Sequence, residues 1–150
     1  MQAARSQYDS ANARRPPFVM KGDTLSAGTY WHGKLLNEWA TDWVQYHTGG
    51  KGDFVTTAME DTGTLQSLTL LAKAGRADLK RVLVLRSASD FDLPPPGVTA
   101  AGDLARMKLG QGFDAYLPAL EAAWRVGNTV VEELLRNWRK YREITPAKTP

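Results

Sequence analysis

Apolar and polar positions alternate along this chain with two different periods. From Tyr30 to about Tyr46 the apolar residues are Trp31, Leu35, Leu36, Trp39, Trp43 and Tyr46. Steps of three and four place them on one face and predict an amphipathic helix. Thr48-Gly49-Gly50-Lys51-Gly52-Asp53 closes it with turn residues. Phe54-Val55-Thr56-Thr57 reads as a short strand. A second helix follows, with Asp61-Thr62 as its cap and Leu65, Leu68, Leu71 and Ala72 as its buried face. Gly75 stops it. Val82-Leu83-Val84-Leu85 is an unbroken apolar run. It predicts a strand over 81–88, covered on both sides.

The remaining segments are read the same way. Phe18-Val19-Met20 is a short strand expectation. Asp92-Leu93-Pro94-Pro95-Pro96-Gly97 is a stiff loop. A long helix is expected from about Phe113 to Tyr141, with Leu117, Leu120, Ala123, Trp124, Val130, Val131, Leu134, Leu135 and Trp138 inward. Gly127 is the position at which it would kink or break. Residues 1–17 are polar and end in Arg14-Arg15-Pro16-Pro17, so they are expected to be an arm or a severed connection. The chain from 18 to 145 is the folded part, and 146–150 a tail. The order strand, helix, strand, helix, strand, loop, helix makes the class α/β. So few strands against so much helix predict a part of a larger sheet.

Composition narrows the function classes. The 150 residues suffice for one domain with a core. There is no cysteine, which excludes disulfides and thiolate metal sites. His32 and His47 do not form a metal set. The net charge of +3 is small, and its basic residues gather toward the ends, as solvated tails do. No dense basic face interleaved with aromatics marks a nucleic-acid surface. No apolar stretch approaches the roughly 20 residues of a membrane-spanning helix. Met1-Gln2-Ala3-Ala4-Arg5-Ser6-Gln7 has no apolar core of a secretory signal. The compartment stays open between cytoplasm and periplasm.

The candidate chemistry lies at strand ends. Thr57-Ala58-Met59-Glu60-Asp61-Thr62-Gly63 places a Met-Glu pair where a strand gives way to a helix. Arg86-Ser87-Ala88-Ser89-Asp90-Phe91-Asp92 ends the apolar run in Ser-Asp. Open α/β sheets put their chemistry at such carboxyl ends. Each residue also has a structural reading. An Asp after Ser can cap a turn, and Glu60 can favour a helix dipole. Asp23 suits a Gly-Asp-Thr turn. Arg86 is expected to pair with a carboxylate. Trp31 suits both a purine stack and the core stripe.

These segments resemble the nucleoside phosphorylase superfamily. Gly22-Asp23-Thr24 is similar to its Gly-Asp turn, Ala58-Met59-Glu60-Asp61 to its Glu-Met-Glu-Gly segment, and Arg86-Ser87-Ala88-Ser89-Asp90 to its Arg-x-x-Ser-Asp strand end. The wording is closer to one branch, the purine nucleoside permease family. There the resemblance rests on Gly22-Asp23-Thr24-Leu25-Ser26, Tyr30-Trp31-His32-Gly33, Ala58-Met59-Glu60-Asp61-Thr62-Gly63 and Ser87-Ala88-Ser89-Asp90-Phe91-Asp92. Ala58 stands where the superfamily has a Glu, and Leu25 where it has a base-stacking aromatic.

The resemblance implies the C-terminal part of a three-layer α/β/α sandwich with an incomplete sheet. It implies purine nucleoside as ligand, Met59 and Glu60 at the ribose, and Asp90 protonating the departing purine with Ser89 orienting it. Asp23 and Thr24 join the substrate-binding set. It implies no cofactor, phosphate being an optional co-substrate, and a homo-oligomer in the complete protein. The implied reaction is N-glycosidic cleavage by phosphorolysis or hydrolysis. The alternatives are a non-catalytic nucleoside-binding component of transport and an inactive truncated fragment.

Overall fold

The computed structural model describes residues 5–109 and 115–143. At its centre, β1 (Asp23–Ser26) and β2 (Phe54–Ala58) pair in parallel, joined by α2 (Lys34–Thr48). α1 (Ala11–Arg14) precedes this unit, and α3 (Asp61–Lys73) leaves the end of β2. A short 3-10 turn (Leu79–Arg81), α4 (Ala100–Lys108), α5 (Tyr116–Arg136) and α6 (Trp138–Glu143) follow. This is mixed helix with a small parallel sheet, compatible with the α/β expectation.

The sheet begins with a bulge. Asp23 pairs with Phe54 but Thr24 with Thr56, so Val55 is skipped. A Cβ on Gly22 would come within 2.0 Å of Val55 Cγ2. Glycine at 22 is therefore what lets the chain pass the bulge. The Asp23 amide donates to Asp53 O at 2.6 Å, and the Asp53 amide donates to Asp23 Oδ2 at 2.8 Å.

α2 packs on both strands through Ala40 and Val44, which are buried. The face expected to be inward lies elsewhere: Leu35 and Tyr46 are exposed, and Trp39 and Trp43 are only partly covered. Close helix–sheet packing selects the small and β-branched residues; a Cβ on Gly52 would meet Val44 Cγ1 at 2.6 Å. The tryptophans instead stack along the helix, Trp31 on Trp39 at 5.1 Å and Trp39 on Trp43 at 4.5 Å between ring centroids. Gly49, with φ of 62°, ends α2 and donates back to Gln45 O and Tyr46 O.

Other expectations need correction. Phe18, Val19 and Met20 are exposed and irregular, and the strand lies at Asp23–Ser26. Residues 82–88 form no hydrogen-bonded strand; Leu83 is 72% exposed. An apolar run becomes a strand only where a neighbour supplies a ladder, and β1 and β2 pair with each other alone among the described residues. α3 forms where expected, yet buries none of its residues. Its N-cap position falls on Glu60 rather than on Asp61-Thr62, without a side-chain cap, and Ser26 of β1 instead accepts from the Thr62 amide through its Oγ at 3.2 Å.

α5 runs straight through Gly127, where a Cβ would still clear Leu85 Cδ2 at 3.7 Å. The helix breaks at Asn137 instead. Its apolar stripe is not inward: Trp124 is 69% exposed and only Ala119 is buried. The expected start at Phe113 and the tail 146–150 lie outside the described residues. From residue 5 onward the expected arm packs on the chain, with Tyr8 stacked on Phe91 at 4.3 Å and its hydroxyl on Leu93 O at 2.8 Å.

Candidate functional site

Met59 and Glu60 follow directly on β2, at the carboxyl end of the sheet. Met59 is exposed and Glu60 sits at the N-terminal boundary of α3. Arg86 reaches across from the apolar run. Its Nη1 lies 3.0 Å from Glu60 Oε2, and its Nε donates to Asp61 Oδ2 at 2.8 Å. Nη2 also contacts Asp61 Oδ1, so the Arg86–Asp61 pair is two-pronged. The expected carboxylate partner of Arg86 is thus present twice.

These contacts shift both ends of the bridge. The Asp61 hydrogen bonds, ahead of Glu60, push the Arg86 guanidinium further up from its ordinary range. Glu60's own backbone amide, then Arg86, holds the Glu60 carboxyl below its ordinary range. The Glu60 carboxylate remains open to solvent. It keeps lone pairs for another donor.

Ser89 and Asp90 lie in a second cluster. Asp90 Oδ2 accepts from the Tyr30 hydroxyl at 2.7 Å, and Oδ1 from Ser89 Oγ at 3.3 Å. The same Tyr30 hydroxyl lies 3.3 Å from Met107 Sδ on α4. Burial first, and then Asp90, pushes the Tyr30 phenol well above the ordinary tyrosine range. The start of α2 grips the same loop: the Gly33 amide donates to Asp92 O at 2.7 Å, and Asn37 Nδ2 to Asp92 Oδ2. Gly33 has φ of 94°, which only glycine holds without strain.

Beneath Tyr30 the rings of Tyr30 and His32 stack with centroids 5.9 Å apart. His32 is buried, with Nε2 3.2 Å from Asp103 Oδ2 but out of hydrogen-bond alignment. Arg106 places a cation 3.7 Å from the other Asp103 oxygen. Trp31 is buried against Trp39, so the core reading holds for it.

Asp23 stands apart from both clusters, and Thr24 follows it on β1, paired with Thr56. The strands are parallel and Asp23 pairs at their amino ends, whereas Met59 and Glu60 leave the carboxyl end. Asp23 Oδ2 is occupied by the Asp53 amide. Among the described residues no three His, Cys, Asp or Glu side chains converge on a metal position, and no helix is long and apolar enough to cross a membrane.

Tyr30, Asn37, Asp103 and Met107 belong to no chemical pattern in the sequence. Tyr30 had one signal, its place at the head of Tyr30-Trp31-His32-Gly33. Thr99 had another. A hydroxyl residue before Leu104 and Met107 at helical spacing marks α4, and Thr99 Oγ1 does accept from the Gly102 amide.

The family model described as purine nucleoside permease matches residues 1–146. The chain belongs to the purine nucleoside permease family. A purine nucleoside permease of Candida albicans is 33% identical over 139 residues, 93% of this chain and 33% of that protein. A probable purine nucleoside permease of Schizosaccharomyces pombe is 30% identical over 134 residues, 89% of this chain and 37% of its own length. The chain therefore spans about a third of the curated relatives it matches. No solved structure matches. Within this family member, two of the segments that carry the resemblance meet where Arg86 reaches Glu60 and Asp61, at the carboxyl end of β2.

Proposed function

We propose that this chain binds a purine nucleoside as part of nucleoside transport, with Met59 and Glu60 at the ribose and Ser89 and Asp90 at the base. The observation that carries the reading is the Arg86 bridge. It brings Arg86, at the head of the 86–90 segment, against residues 60–61 although 25 positions separate Arg86 from Asp61. A charged carboxylate is a strong acceptor for a vicinal diol, since charge-assisted hydrogen bonds are about twice as strong as neutral ones. Asp90 has two of its roughly four lone-pair sites taken by Tyr30 and Ser89, which leaves acceptor capacity for a purine N–H. Asp23 sets β1 against β2 through the Asp53 amide, and Thr24, next along β1, stays in the proposed substrate-binding set. The names of the relatives support the transport setting. The larger fold into which this α/β unit would fit is a nucleoside phosphorylase-like sandwich.

Inosine titration calorimetry on the purified chain tests the reading. Glu60→Ala and Asp90→Asn are each expected to weaken inosine by roughly ten-fold or more, the loss of a hydrogen bond to a charged group. Unchanged affinity in both variants removes the site.

Cleavage is the second reading, favoured by an Asp90 carboxylate held on both oxygens at the end of the 82–90 segment. Positive charge builds on the sugar as the bond breaks, so Asp90 in its protonated form, the only form of a carboxyl that can donate, lowers the barrier by giving its proton to the departing purine. Chromatography of inosine after incubation decides it. Free hypoxanthine only with phosphate means phosphorolysis, and free hypoxanthine without it means hydrolysis. Intact inosine leaves a binder.

A further inference from the structure

The Tyr30 hydroxyl stands between two acceptors, Asp90 Oδ2 at 2.7 Å and Met107 Sδ at 3.3 Å. A phenol has a single proton to donate, and a thioether is a weak acceptor. The carboxylate takes the proton, because the charge-assisted bond is the shorter and stronger of the two. Met107, buried on α4, then acts as a backstop behind the hydroxyl. The Tyr30 ring is held on its face by His32. Ser89 Oγ, at 3.3 Å from the other oxygen and adjacent in sequence, is a looser tether. Asp90 thus takes its orientation from a side chain 60 positions away, fixed by ring stacking and by a second helix.

We propose that Tyr30 is a positioning residue for Asp90: its hydroxyl holds one carboxylate oxygen so that the free lone pairs face the base of a bound purine nucleoside. This rests on the nucleoside reading given above. The charged and titratable neighbours of the phenol are Asp90 on the loop, Asp103 on α4 and the His32 ring. Burial and the two carboxylates keep the phenol protonated through neutral pH, so the donor is always present.

Two measurements on the full chain separate the pair from the ligand. In the first, inosine affinity is measured for the unaltered chain, Tyr30→Phe, Asp90→Ala and the double variant. Phenylalanine keeps the ring and its stacking on His32 and removes only the hydroxyl. Tyr30→Phe is expected to weaken inosine about ten-fold when Asp90 is present and to add nothing when Asp90 is already Ala. An equal loss in both backgrounds overturns the proposal, because Tyr30 would then act without Asp90. In the second, tyrosines carry carbon-13 at Cζ, and the Tyr30 resonance is the one lost in Tyr30→Phe. Asp90→Asn is expected to bring its titration to lower pH. An unmoved titration overturns the pair whether or not inosine binds. A moved titration with no inosine binding in any variant leaves the hydrogen bond standing. It overturns the nucleoside reading, and with it the positioning role.

Discussion

Gly22 and Arg86 show how single residues govern this molecule. At Gly22 there is no room for a side chain, since the missing Cβ would fall 2.0 Å from Val55 Cγ2 and 2.9 Å from Val55 Cβ. Gly22→Ala forces Val55 or the bulge to move and is expected to cost about 1–3 kcal/mol. Urea unfolding checks it, and a midpoint equal to that of the unaltered chain rejects it. Arg86 carries a different dependence, on pH. Glu60 has a folded-state pKa below its unfolded value of 4.5. Its contribution is full above the unfolded pKa and fades as pH falls through the folded one. Thermal melts should therefore lose a small increment below about pH 4.5 that Glu60→Gln lacks altogether. The increment is small because Glu60 is solvent-exposed. Parallel curves for the two proteins would show that the bridge carries no stability.

Between residue and molecule, caps decide which elements exist. α4 is nine residues long, and Thr99 Oγ1 satisfies one of its orphan amides at 3.1 Å. Thr99→Ala is expected to destabilise the chain by about 1 kcal/mol. Because Met107 and Asp103 ride on α4, the same change should loosen the wall behind Tyr30 and His32. Hydrogen exchange at residues 103–108 reads this, and unchanged protection argues against it. Much of this scale was legible in the sequence. Helical spacing located α2 and α3, and Gly49 and Gly75 marked their ends. What sequence misplaced were the inward faces. Periodicity finds a stripe of large apolar residues, but the sheet took Ala40 and Val44 because only small side chains allow close approach. Residues 82–88 show the same limit, since apolar content cannot supply a hydrogen-bonding neighbour.

On the scale of the whole molecule, apolar surface is abundant and enclosed core is scarce. Ala13, Trp31, Ala40, Val44, Met107 and Ala119 are buried, yet among the described residues none of the large side chains is completely enclosed. Leu83, Trp124, Leu135 and Trp138 are exposed on the run 82–85 and on α5 and α6. Exposed apolar residues that join in one contiguous face mark association. Sedimentation velocity is expected to show concentration-dependent self-association, reduced in a Leu83→Lys, Trp124→Lys double variant. A chain that stays monomeric at every concentration tested would mean the exposed residues are dispersed rather than joined in a face.

The sequence by itself determined the family, the helical segments with their glycine stops, and the Met59-Glu60 and Ser89-Asp90 pairs as candidate chemistry, because these are local signals carried by neighbours in the chain. Only the tertiary structure decided that Arg86 closes on Glu60 and Asp61, that Tyr30 crosses to Asp90, that Asp23 pins β1 to Asp53, and that the 82–85 run stays without a ladder. Those contacts join positions tens of residues apart. Their partners are chosen by which surfaces come within hydrogen-bond reach once α2 lies on the sheet, and no local spacing encodes that.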